Sequence, residues 1–178
     1  MELIHNEIPL EFLSALPEGI KYVVRHGKDF LVVEEVTCPN GHSLMSENVR
    51  IHGEPSIKIG VEIANEKGHF FIDSYWGSHK KLFDFIPSLG HAPVIVQSFC
   101  PTCGTSLMVE DQCSIQGCKT KEHILMLLPG RKNRILVCAR LGCPGHRLDI
   151  QELPHEVTEK ISGINFFGTG IDDYFGGI

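Results

Sequence analysis

The chain has 178 residues, 42% of them hydrophobic, with a formal net charge of −6, enough for one ordinary core or two small ones. The acidic balance disfavours a general polyanion binder, and no run approaches the roughly 18–20 apolar residues that span a bilayer. The start, Met1-Glu2-Leu3-Ile4-His5-Asn6-Glu7, has neither the basic residues nor the apolar stretch of a secretion signal, so a reducing, cytoplasmic home is expected.

Taken in chain order, residues 8–16 suit a short helix, with Pro9 tolerated in its first turn and Pro17-Glu18-Gly19 ending it. Ile20 to Arg25 and Phe30 to Val36 read as a hairpin around His26-Gly27-Lys28-Asp29, the second strand delivering Cys38. Residues 57–63 place an apolar residue at every second position, the period of a half-buried strand. Asn65-Glu66-Lys67-Gly68 is the expected turn into a partner strand over 69–76. Two more strands are expected at 82–86 and 94–99, the last running into Cys100. Residues 124–128 and 135–137 flank Pro129-Gly130-Arg131-Lys132-Asn133 as another hairpin, and 155–161 suits a short helix. The expected fold is mainly β with short helices, a small antiparallel sheet or partial barrel being inserted between cysteine knuckles. Its segments are 1–46 (helix, hairpin, first knuckle), 47–99 (sheet), 100–150 (second knuckle and remaining cysteines) and 151–178 (short helix and tail), acting as one cooperative unit.

The seven cysteines carry the chemistry. An odd count in short, clustered spacings argues against a disulfide framework and for a metal. In Cys100-Pro101-Thr102-Cys103-Gly104 the two-residue spacing with glycine next turns backbone amides toward both sulfurs, which stabilises the thiolates that zinc takes in a tetrahedron. Cys113 and Cys118 follow as the next pair. Cys100, Cys103, Cys113 and Cys118 are therefore the expected first site, zinc or, with the same ligands, iron. This pattern resembles a zinc ribbon, the family that shares such knuckles with rubredoxins, and is similar to prokaryotic zinc-ribbon proteins. The second pair departs from the usual two-residue spacing, and the resemblance implies metal binding but no particular activity.

An internal echo supplies a second site. Cys38-Pro39-Asn40-Gly41-His42-Ser43-Leu44-Met45 aligns with 100–108 after one residue is dropped, and Cys138-Ala139-Arg140-Leu141-Gly142-Cys143 repeats the form of 113–118. Cys38, His42, Cys138 and Cys143 are the expected second set, with His146 a competing ligand. Seven cysteines plus His42 fill two tetrahedra, so two zinc ions per chain are expected.

The expected role is a noncatalytic zinc-binding scaffold that mediates protein–protein interaction. The contact surface for a protein partner or a second copy is expected in residues 163–178, which hold Phe166, Phe167, Tyr174 and Phe175 among five glycines. Nucleic-acid binding is the alternative. Residues 100–147 hold seven Lys and Arg against three acids, +4, which leaves −10 for the rest. Those cations also balance thiolate charge. An enzyme is the lesser alternative. No catalytic residue stands out, and neither a phosphate-cradling glycine loop nor a His-Glu-x2-His motif occurs, which leaves the mixed Cys/His site as the one chemical opening.

Overall fold

The computed structural model describes residues 8–78 and 80–164. His79 and most of the aromatic tail expected to form a contact surface lie outside the described residues. The fold is mainly β: eleven strands and two short helices among the described residues. Helix α1 (Leu10–Ser14) starts after Pro9 and buries Phe12. Strands β1 (Ile20–Arg25) and β2 (Lys28–Val33) form a two-stranded antiparallel sheet. A five-stranded antiparallel sheet comprises β3 (Met45–Ile51), β4 (Glu54–Ile63), β5 (Glu66–Ile72) and β6 (Lys81–Phe83), with β7 (Gln97–Phe99) also paired to β4. A four-stranded antiparallel sheet has the order β11 (His146–Asp149), β10 (Arg134–Cys138), β9 (Glu122–Leu127), β8 (Met108–Glu110). Helix α2 (His155–Ser162) begins after Pro154 and packs on β11.

Three hairpins turn through two residues with positive φ: His26-Gly27 (54° and 73°), His52-Gly53 (54° and 82°) and Ala64-Asn65 (51° and 67°). This geometry matches the right-handed twist of the strands it joins. The turn expected at 65–68 thus sits earlier, and Glu66 already pairs with Ile63 in β5. The alternation read over 57–63 holds: Ile57, Ile59, Val61 and Ile63 are all buried. Gly60 between them is fixed by packing, because a Cβ there would lie 2.3 Å from the Phe99 ring. Strands β3, β8 and β11 had no counterpart in the sequence reading.

One apolar cluster runs from Phe12 to Ile164 and takes residues from the five- and four-stranded sheets and from both helices. Trp76 ties its far end, donating from Nε1 to the Ile161 carbonyl at 2.7 Å. No described helix is long and apolar enough to cross a membrane.

A polar knot sits where β5 leaves the sheet. The Asp73 carboxylate, 3% exposed, accepts from the Tyr75 N–H (3.0 Å) and the Ser78 hydroxyl (2.6 Å), and faces His52 Nδ1 at 2.8 Å. It joins the β3–β4 turn to the segment after β5. Asp73→Asn keeps the shape but offers an NH2 group where donors already converge. It is expected to destabilise the protein by about 2–3 kcal/mol, read as a lower urea midpoint at unchanged slope. An unchanged midpoint would show that the knot contributes no stability.

Two candidate metal centres

The two knuckles are built alike. In the first, Cys38 N–H donates to the His42 carbonyl (3.0 Å) and Gly41 N–H to the Cys38 carbonyl (2.9 Å). In the second, Cys100 N–H donates to the Thr105 carbonyl (2.8 Å) and Gly104 N–H to the Cys100 carbonyl (2.8 Å). Gly41 and Gly104 both take positive φ, 89° and 76°, which favours glycine. Ser43 and Ser106 hydroxyls then accept from Met45 and Met108 N–H. The sequence echo is therefore a structural repeat. The Cys-x4-Cys segments repeat too: Cys118 N–H donates to the Ile115 carbonyl and Cys143 N–H to the Arg140 carbonyl, after Gly117 and Gly142 at φ 85° and 88°.

Like pairs with like. Cys38, His42, Cys100 and Cys103 form one group, and Cys113, Cys118, Cys138 and Cys143 another, with ligand atoms in each within 4.8 Å of one another. Eight of the nine residues named from sequence converge, but the expected grouping is corrected. Cys113 and Cys118 leave Cys100 and Cys103, and Cys138 and Cys143 leave Cys38 and His42. The reason is the stretch between Cys103 and Cys113. It holds the extended strand β8, whose backbone pairing continues from Leu107 to Cys113, and those six residue steps span roughly 20 Å, too far for one tetrahedron. Strand β9 carries a group at each end: Leu127 pairs with Thr37 beside the knuckles, and Thr120 accepts from Cys113 N–H beside the other group.

His146 joins neither group. Its Nδ1 lies 2.9 Å from the Pro144 carbonyl and its Nε2 2.6 Å from the Ile164 carbonyl, with Trp76 edge-on at 4.9 Å. Burial holds its pKa below the usual histidine value. It fastens the residues just after α2 to β11.

The two groups differ in access. Cys113, Cys118, Cys138 and Cys143 are all buried, and Gly145 lies so close that a Cβ there would be 2.9 Å from Cys113 Sγ. In the knuckle group Cys38 and Cys100 are buried, His42 is half-buried and Cys103 is exposed.

Charge preferences are split within each group. The Thr105 hydroxyl and N–H, with the Asn40 amide, hold Cys103 down to about 5. Burial pushes Cys118 up, but the Thr120 hydroxyl and N–H outweigh it and bring it to about 6. Burial raises Cys100, lifts Cys113 to about 11 and raises Cys138 further. Burial also opposes the Cys38 thiolate, yet hydrogen bonds from His42 and Asn40 leave its pKa lowered. Hydrogen bonding to Cys38, then Cys103, raises His42. Sulfurs packed this way repel as thiolates, and a cation among them removes the conflict. The donor sets, three sulfurs with one imidazole and four sulfurs, fit a tetrahedral soft-to-borderline metal.

Sequence reasoning missed the groups that orient these sulfurs: Asn40, Thr105 and Thr120. A signal was present, since Cys103-x-Thr105 and Cys118-x-Thr120 share one spacing and place a hydroxyl 3.3 Å from each sulfur. Compared with protein-family models, curated proteins and solved structures, the chain matches none of them.

Proposed function

We propose that the chain is a noncatalytic zinc-binding scaffold of zinc-ribbon type, in which two closed centres brace a β framework that binds another protein. The observation that carries this is the convergence of eight Cys and His residues into two groups of four, with no cysteine left over. Four protein ligands leave no open position for water, the arrangement of structural rather than catalytic zinc. The centres also sit where bracing is needed, one joining residues 38 and 100, the other residues 113 and 138. The aromatic residues of 163–178 favour a protein as partner, because aromatic side chains gain most from being covered.

A second reading, nucleic-acid binding, draws on an open groove of about 710 Å³ lined by Lys119, Lys121 and Arg140. No aromatic ring lines it to stack a base. With zinc in place, four thiolates leave −2 beside those cations and the whole chain stands at −9, seven thiolates and two Zn2+ added to −6. The balance favours the scaffold.

Elemental analysis of protein purified without chelator is expected to give two zinc ions per chain. Cobalt substitution is expected to give tetrahedral spectra at two equivalents, one of four-sulfur type and one of three sulfurs with a nitrogen. Labelled single-stranded DNA should not bind at physiological salt. Iron in either centre, or a cobalt spectrum showing a water ligand, would replace this reading with electron transfer or catalysis. Tight DNA binding would favour the second reading.

A further inference from the structure

We propose that Cys103 is an oxidation site, at which hydrogen peroxide links Cys103 to Cys38 as a disulfide and so frees the metal of the knuckle group alone. This rests on the zinc reading and adds a regulatory property to one of its two centres.

Access is the argument. Sulfur pairs lie equally close in both groups: Cys38 and Cys103 at 3.9 Å, against Cys113 and Cys143 at 3.7 Å and Cys118 and Cys138 at 3.8 Å. Proximity alone therefore predicts no selectivity. Exposure does. Cys103 is the one exposed cysteine of the seven, whereas each sulfur of the other group belongs to a residue no more than 8% exposed. Gly145 also closes over Cys113. Oxidation of cysteine follows exposure and electron density at sulfur. Asn40 Nδ2 at 3.5 Å and the Thr105 hydroxyl at 3.3 Å lie beside the Cys103 sulfur, and both are exposed contacts, so water and small solutes reach the same face.

The chemistry balances with peroxide as the only oxidant. Cys103 sulfur attacks one peroxide oxygen, an S–O bond forms, the O–O bond breaks and hydroxide leaves. Cys38 sulfur then attacks Cys103 sulfur, forming the S–S bond and expelling the second hydroxide. Two sulfurs have lost two electrons in total and two oxygens have gained them. Cys38 and Cys103 no longer serve as ligands, and Cys100 with His42 cannot hold zinc as a four-ligand set does. The disulfide still joins the two knuckles, so the metal is given up without separating the segments it bridged.

The test uses the reduced, zinc-loaded full chain. Its metal count is taken first, which reads the scaffold proposal by itself. Hydrogen peroxide is then added, zinc release is followed with a chromogenic chelator, and disulfides are mapped by peptide mass spectrometry. The expected result is release of one of the two zinc ions and a Cys38–Cys103 disulfide. Modification at Cys103 should be at least about tenfold faster than at any of Cys113, Cys118, Cys138 or Cys143. Dithiothreitol with added zinc should restore the starting state. Release of both ions together, release of neither, or oxidation mapping first to the buried four would overturn the proposal. The disulfide map needs no metal, so it still decides about Cys103 if the initial count falls short of two.

Discussion

Cys138→Ser is expected to lose one metal ion and to unfold the four-stranded sheet, lowering stability by on the order of 5 kcal/mol or more. Cys138 ends β10, the strand held between β9 and β11. That strand also supplies Ile135 and Leu136, both buried, to the interior. Structural zinc contributes roughly 10–16 kcal/mol in small zinc-folded peptides, comparable with the whole stability of a domain at about 5–15 kcal/mol. Serine is a poor zinc ligand, and its loss as a donor leaves three sulfurs crowded together in the interior without their cation. Thermal unfolding with zinc present, alongside metal analysis, reads both effects. The knuckle group offers the contrast. Cys103 is exposed, so Cys103→Ser should release the other ion while the β8–β11 sheet keeps its fold. An unchanged melting temperature and metal count for Cys138→Ser would mean that the buried group is only a cluster of thiols.

The sequence carries its fold most clearly where side chains alternate. Ile57, Ile59, Val61 and Ile63 announce β4, because a strand with one buried face has no other way to be written. The helices are legible from their prolines, Pro9 and Pro154, each standing just before the first helical residue. Strands β8 and β11 are hidden for a physical reason. They have three and four residues, too few for a period to show, even though each pairs with the strand next to it in sequence. That omission caused the error at the metal groups. With no strand expected over 104–112, Cys103 and Cys113 can meet; with β8 extended between them, they cannot. The ligands were readable from spacing and from the echo of 38–45 in 100–108, since both are local properties. Which ligands share an ion is a property of the topology, and spacing does not record it. His146 misled for a similar reason. It stands close to Cys143 in sequence, but its ring is claimed by the carbonyls of Pro144 and Ile164.

Paired substitutions with metal counting test the central claim, that the knuckles share one ion and the Cys-x4-Cys segments the other. In the structure Cys38 and Cys103 belong to one group, so Cys38→Ser with Cys103→Ser should cost one ion and leave one. Cys103 and Cys118 belong to different groups, so Cys103→Ser with Cys118→Ser should leave none. A chain that grouped Cys100 and Cys103 with Cys113 and Cys118, and Cys38 and His42 with Cys138 and Cys143, would give the reverse, no ion in the first double variant and one in the second. That reversed pattern would contradict the structure directly.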